Sequence, residues 1–100
     1  MNIADIIDNC NSSVLRANEE AFSVLIPLFE KEFTDYRVKF SSVYQGFETV
    51  WFFDGERRIR MNIGASNGDV YCRRSPHGTH GEWTQEEVNV IKERIRNLGN

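Results

Sequence analysis

The sequence of 100 residues contains few cysteines, few prolines and no long hydrophobic run. Two cysteines are too few for a secreted domain that is held together by disulfide bonds, so both are expected to be free thiols. No apolar stretch approaches the roughly 20 residues that a membrane-spanning helix requires. The first ten residues include two aspartates and no lysine or arginine, which is unlike a secretory signal. We therefore expect a cytoplasmic protein that does not bind membranes.

The residues that are present are typical of a folded domain. Aromatic residues make up 12% of the chain and charged residues 27%, whereas disordered chains are poor in aromatic residues. A chain of this length accommodates one hydrophobic core. Residues 1–100 are accordingly predicted to form a single domain.

Apolar residues recur at helical spacing in the first third of the chain. Three isoleucines among the first seven residues predict a short helix, and a second helix is predicted from about Val14 or Asn18 to Phe33. Pro27 lies inside the second pattern, and because proline removes a backbone donor it predicts a kink or a break near Ile26.

The C-terminal helix has the clearest boundaries. Thr84 and Glu87 have the spacing of a capping box, in which each side chain bonds to the backbone of the other residue. Trp83 and Val88 are spaced as a hydrophobic staple around this cap. Gly99 is predicted to end the helix.

Between the helical regions, four segments are rich in β-branched and aromatic residues or alternate apolar with polar residues, as strands do. Each join contains a dipeptide typical of a tight turn, namely Gln45-Gly46, Asp54-Gly55 and Asn67-Gly68. Three successive hairpins predict a four-stranded antiparallel meander. The predicted fold class is α+β, with the N-terminal and C-terminal helices packed on one face of this sheet.

The register of the hairpins decides which sheet face is buried. A two-residue turn in the first hairpin places Phe40 opposite Trp51. In the second hairpin, a two-residue turn would add Arg58 and Arg60 to the same face, whereas a longer loop with a bulge at Gly55 would add the apolar residues of the third strand. The longer loop is preferred because burying two arginines beside Trp51 is costly. The core face predicted in this way consists of Tyr36, Val38, Phe40, Tyr44, Phe47, Trp51, Phe53, Ile59, Met61, Ile63, Val70 and Cys72.

The opposite face of the predicted sheet is basic. Its predicted members are Arg37, Lys39, Glu48, Val50, Phe52, Arg58, Arg60, Asn62, Tyr71 and Arg73. Residues 36–81 carry a net charge of +3, whereas residues 1–35 carry −5 and residues 82–100 carry −1. A basic sheet is therefore expected to be backed by acidic helices, a polarity that the total charge of −3 conceals.

A face that combines arginines with aromatic rings is suited to an anionic partner, since arginine forms paired hydrogen bonds with carboxylates and stacks on rings. We predict a small non-catalytic protein-binding module, an inhibitor or adaptor, whose partner has an acidic or mixed surface. An inhibitor of a host system encoded by a phage or mobile element is one role of this kind. The residues predicted to bind the partner are Arg37, Lys39, Phe52, Arg58, Arg60, Tyr71 and Arg73.

Single-stranded nucleic acid is the alternative partner for the same face, because sheets that display aromatic residues among bases bind it. The acidic total charge opposes this interpretation, since the acidic residues of the helices repel phosphates. Protein is therefore ranked above nucleic acid. The sequence is compatible with both a monomer and a homodimer.

The sequence also contains residues of the types that bind metals or act in catalysis. Cys72, His77 and His80 follow the pattern C-x4-H-x2-H, and a structural zinc site would need a fourth ligand, for which Cys10 is distant. The chain contains no nucleophile elbow and no phosphate-binding glycine loop. We predict no metal, no cofactor and no catalytic site. Ser75 has the sequence context either of a kinase target or of an ordinary loop.

Overall fold

The chain forms two helices, then four strands, then a third helix. A computed structural model describes residues 3–12, 15–40, 49–66 and 68–98. No helix in these ranges is long and apolar enough to cross a membrane. The elements are α1 (Ile3–Ser12), α2 (Leu15–Glu32), β1 (Arg37–Phe40), β2 (Thr49–Asp54), β3 (Arg57–Ser66), β4 (Asp69–Arg74) and α3 (Gln85–Arg96).

The four strands form one antiparallel sheet in the order β1-β2-β3-β4, so that each strand pairs with its neighbour in sequence. The helices contribute to one core with the sheet: α1 contacts β3, and α3 contacts β4. Directly after α2, the ring of Phe33 lies 4.7 Å from the ring of Phe52 in β2, measured between centroids. The predicted α+β fold, with a meander and helices packed on the sheet, is confirmed.

Helix α2 supplies the aromatic centre of the core. The helix continues through Pro27, so it does not end near Ile26. Pro27 is exposed, on the side of the helix away from the core. Phe29 and Phe33 are buried on the other side of the helix, with ring centroids 5.9 Å apart. Phe29 also meets the ring of Phe40 edge-on at 5.1 Å, which joins α2 to the first strand.

Helix α3 begins with the predicted capping box. The hydroxyl of Thr84 accepts a hydrogen bond of 3.1 Å from the backbone N–H of Glu87, and the Glu87 carboxylate accepts one of 3.0 Å from the N–H of Thr84. Trp83 and Val88, the predicted staple pair, are both buried. The predicted stop at Gly99 lies outside the described residues.

The register of the first hairpin differs from the predicted one by one residue. Val38 lies opposite Phe52, whereas the predicted partner was Phe53. A shift of one residue turns every side chain of a strand to the other face. Val50 and Phe52 are 0% exposed, and Trp51 and Phe53 lie on the face away from the helices. The core positions predicted for Trp51 and Phe53 are wrong, as are the open-face positions predicted for Val50 and Phe52.

The physical reason is that the rings of α2 and the arginines of the sheet lie on opposite sides of β2. Phe52 has no polar atom and fits among the apolar rings of Phe29 and Phe33. Trp51 lies beside charged side chains, which its partly polar indole ring tolerates. Burying an arginine in the apolar core would cost more free energy. The turn and the residues on which the predicted register depended lie outside the described residues: Tyr44, Gln45-Gly46, Phe47 and Glu48.

The second hairpin turn consists of two residues, Gly55 and Glu56, between the paired Asp54 and Arg57. The predicted longer loop with a bulge at Gly55 is therefore wrong. Because both of its hairpins are shifted, only β2 changes face, and β1, β3 and β4 keep the faces that were predicted for them. The core residues predicted in β3 are buried, namely Ile59, Met61 and Ile63.

Arg57, at the start of β3, joins the sheet to the beginning of α3. Its guanidinium pairs with the carboxylate of Asp54 and, at 3.0 Å, with that of Glu87, and it lies 4.1 Å from the ring centroid of Trp83. The hydrogen bond from Arg57, together with the one from the backbone of Thr84, lowers the pKa of Glu87 to about 2. The folded state therefore favours the ionised form of this carboxylate.

We expect acid to destabilise the folded protein through Glu87. Its ordinary pKa is 4.5, above the folded value, so its contribution to stability is complete above that pH and is lost as the pH falls towards 2. The replacement Glu87→Gln removes this titration and should reduce the fall in Tm between roughly pH 5 and pH 2. The matched replacement Glu86→Gln, at a neighbouring carboxylate with no ion pair among the described residues, should leave the fall unchanged. An equal fall in the parent and in Glu87→Gln would contradict this assignment.

Candidate binding surface

The candidate site is the open face of the sheet, which is the face opposite the helices. Six of the seven predicted partner-binding residues lie there. The seventh, Phe52, is fully buried against α2 and is not available to a partner, so its predicted place on this face is wrong. The open face consists of Arg37, Lys39, Thr49, Trp51, Phe53, Arg58, Arg60, Asn62, Gly64, Asp69, Tyr71 and Arg73.

Trp51 and Phe53 are the site residues that sequence reasoning missed. Residues 50–53 are all apolar, so the alternation that normally separates the two faces of a strand gives no signal there. One weaker signal did favour the observed arrangement. Tryptophan is seldom buried completely, and arginines on the neighbouring strand can lie over its ring.

Three arginines lie over the two rings at the centre of the open face. The guanidinium carbon of Arg37 is 4.6 Å from the ring centroid of Phe53, and those of Arg58 and Arg60 are 5.5 and 5.6 Å from that of Trp51. The rings of Trp51 and Phe53 are 6.4 Å apart and inclined by 23°. A cation over a ring at an exposed site contributes about 0.5–1 kcal/mol. The rings therefore restrain these long side chains before any partner arrives.

The loop of residues 75–80, between β4 and α3, covers one end of the open face. Backbone hydrogen bonds of 2.9 and 2.8 Å join His80 to Arg58 in both directions. Between the loop ends, Gly78 lies so close to Trp51 that a β-carbon at this position would overlap the indole ring. The carbonyl of Gly78 also accepts a hydrogen bond of 3.2 Å from Nε of Arg58. One side of the Trp51 ring is therefore occupied by the protein's own backbone.

Arg60 is the most enclosed of the five basic residues on the open face, since the other four are exposed. Its Nη2 donates a hydrogen bond of 3.2 Å to the hydroxyl of Thr49. Its Nε is buried and has no hydrogen-bond partner among the described residues. Arg60 therefore lies over the Trp51 ring as a partly buried side chain and offers fewer donors to a partner than its neighbours do.

A shallow depression lies on the β3–β4 side of the open face. Its volume is about 360 Å³, and the described residues that line it are Asn62, Ile63, Tyr71 and Arg73. Tyr71 is 54% exposed, and its ring lies over Gly64 on the paired strand, where a β-carbon would overlap the ring. The absence of a side chain at Gly64 thus gives the tyrosine ring its position at the edge of the depression.

Most described arginines away from the open face have a carboxylate partner, whereas those on the open face have none among the described residues. Away from the open face, Arg57, Arg94 and Arg96 each pair with acidic residues of the chain at 3.4 Å or less, and exposed Arg74 makes no such pair. Charges that remain unneutralised within the protein can act on an external anion. The open-face arginines that make no ion pair with any described acidic residue are Arg37, Arg58, Arg60 and Arg73.

The residues considered for metal binding or catalysis do not come together. The Cys72 thiol faces the core, donates a hydrogen bond of 3.7 Å to the carbonyl of Lys92, and has its pKa raised by burial, which reduces its reactivity. His77 and His80 are exposed in the loop on the other side of the sheet. In the part of the chain that the structure describes, no three His, Cys, Asp or Glu residues are grouped to hold a metal ion. The side chain of Cys10 lies outside that part.

Ser75, which has the sequence context of a kinase target, is only 3% exposed. Its hydroxyl accepts a hydrogen bond of 3.3 Å from the backbone N–H of His77, and its own N–H donates one of 2.8 Å to the carbonyl of Arg60. The residue therefore shapes the loop from within the fold, where a kinase has no access to it.

No protein-family model, curated protein or solved structure matches this chain.

The replacement Gly78→Ala should lift the 75–80 loop away from Trp51. The new β-carbon would overlap the indole ring, and the φ of +84° strains any side chain at this position. We expect stronger quenching of tryptophan fluorescence by acrylamide, because the other tryptophan, Trp83, is buried. The control Gly68→Ala has a similar φ of +81° but open space around it, so its quenching should match the parent. Equal quenching in both variants would argue against the close approach of the loop.

Proposed function

We propose that this protein is a small non-catalytic binding module that docks on an acidic surface of a partner protein through its open face, as an inhibitor or an adaptor. The observation that supports this most strongly is the difference in arginine pairing. Three arginines away from the open face are neutralised by the chain's own carboxylates. The four on the open face have no such partner among the described residues and keep their charge for an external one.

The residue types on the open face are those that contribute most to protein–protein binding. Tryptophan, tyrosine and arginine are enriched among the residues whose truncation costs an interface most. Arg37 and Arg58 already lie over rings in the free protein. A partner therefore meets side chains that lose little conformational freedom on binding, which favours affinity.

Single-stranded nucleic acid is the weaker candidate, because stacking requires ring faces that a base can reach. Trp51 lies beneath two arginines and the 75–80 loop, and Phe53 lies beneath Arg37. Of the three open-face rings, Tyr71 is the one that is largely exposed. One accessible ring and a total charge of −3 are a poor basis for binding a polyanion by stacking.

The same charges oppose pairing of two open faces. Among the described residues on this face five are basic and one, Asp69, is acidic. A homodimer that brought two such faces together would place like charges opposite each other. We propose a cytoplasmic monomer that acts by occupying its partner's surface.

Charge reversal at the β1 edge of the open face tests this proposal. The face variant combines Arg37→Glu with Lys39→Glu, and the control variant combines Lys31→Glu with Arg74→Glu. All four positions are exposed, and both variants exchange two positive charges for two negative ones. Parent, face variant and control are used to capture partners from a lysate of cells that encode the protein. Each lysate is divided into nuclease-treated and untreated halves before mass spectrometry.

The parent and the control should retain the same protein in stoichiometric amount in both halves. The face variant should retain at least about tenfold less, since like charges placed opposite an acidic surface cost more than the 1.4 kcal/mol that this factor represents. Equal retention by the face variant would refute docking through this face. Loss of the captured protein after nuclease treatment would indicate that the open face binds nucleic acid.

A further inference from the structure

Arg73 differs from the arginines at the centre of the open face. Arg37, Arg58 and Arg60 lie over the rings of Phe53 or Trp51. Arg73 is exposed, and in the described structure its side chain has no ring contact, hydrogen bond or ion pair. Its guanidinium therefore keeps all five of its N–H donors.

The neighbours of Arg73 are also hydrogen-bond donors. Asn62 lies directly opposite Arg73 in the β3–β4 register, and Tyr71 is the next residue of β4 on the same face. Such positions are about 5–7 Å from that of Arg73, and their side chains carry an amide and a phenol hydroxyl. These three side chains line the depression of about 360 Å³. Asp69 lies four residues from Arg73 along the strand, about 13 Å away, too far to form an ion pair with it.

We propose that this depression is an anion subsite that takes one carboxylate of an acidic segment of the partner protein. Arg73 supplies two parallel hydrogen bonds to the carboxylate oxygens, and Asn62 and Tyr71 donate to the remaining lone pairs. This inference depends on the proposed function, because it names the group on the partner that the open face recognises.

The charge of the subsite favours a carboxylate. The depression contains one uncommitted guanidinium, which matches a single negative charge, whereas a phosphate group carries up to two and is usually met by a cluster of arginines. Its volume lies at the lower end of the 300–1,000 Å³ typical of ligand pockets. This volume is sufficient for one carboxylate-bearing side chain of an extended segment.

Titration with an octaglutamate peptide tests the subsite, with the amide and side-chain signals followed by NMR spectroscopy. The test variant is Arg73→Gln, and the matched control is Arg74→Gln, which removes the same charge from the neighbouring exposed residue on the other side of β4. A further variant, Tyr71→Phe, removes one donor and keeps the ring over Gly64. An oligothymidylate of eight nucleotides is titrated in parallel.

In the parent and in Arg74→Gln, the peptide should cause saturable shifts centred on Asn62, Tyr71 and Arg73. The affinity should fall about tenfold in Arg73→Gln, and by a smaller factor in Tyr71→Phe, because a charge-assisted pair of hydrogen bonds contributes more than one neutral bond. Equal affinities in the two glutamine variants, with shifts centred on Arg37, would overturn the subsite and leave docking of an acidic protein intact.

Two other outcomes also overturn the subsite. One is the absence of any peptide-induced shift on the open face while the captured partner still requires Arg37 and Lys39, which again spares the proposed function. The other is stronger binding of the oligothymidylate than of the peptide at Asn62 and Arg73. That result would refute both the carboxylate subsite and the proposed protein partner.

Discussion

The position of Phe52 among the rings of Phe33 and Tyr36, in the segment between α2 and β1, is the constraint on which the rest of the structure depends. Phe52 is fully buried and lies 4.7 Å from Phe33 and 6.0 Å from Tyr36, measured between ring centroids. Because successive side chains of a strand point to opposite faces, its burial places Trp51 and Phe53 on the open face. There the two rings meet the arginines of the neighbouring strands. One packing choice in the core thus creates the aromatic and basic surface on the other side of the sheet.

The same division separates charge that is used within the protein from charge that is left for a partner. On the helix side, Arg94 pairs with Glu32 and Asp35, and these contacts join α3 to the end of α2. The hydrogen bond from Arg94 also lowers the pKa of Asp35. On the open face, cations lie over rings, which restrain their side chains without neutralising them. A protein of negative total charge thereby presents a basic surface with restrained side chains.

The topology could be predicted from local signals, because the turn dipeptides, the capping box at Thr84 and the helical spacing each act over a few residues. Which residues of β2 face the core could not be predicted in this way, since residues 50–53 are all apolar and do not alternate with polar residues. The choice between Phe52 and Trp51 depends on which rings α2 brings to the sheet, a contact between distant parts of the chain. The approach of Gly78 to Trp51 and the burial of Ser75 likewise depend on where the sheet leaves room for the loop.

A comparison of Phe52→Ala with Phe53→Ala in urea denaturation tests the face of β2 most directly. The two substitutions remove the same side chain from adjacent residues of one strand. Truncation of the buried Phe52 should lower the free energy of unfolding by about 3–5 kcal/mol, the range for large-to-small changes in a core. Truncation of Phe53, which is only half-buried and contacts Arg37, should cost roughly 1–2 kcal/mol. An equal or larger loss in Phe53→Ala would contradict the account, because Phe53 would then belong to the core and Phe52 to the open face.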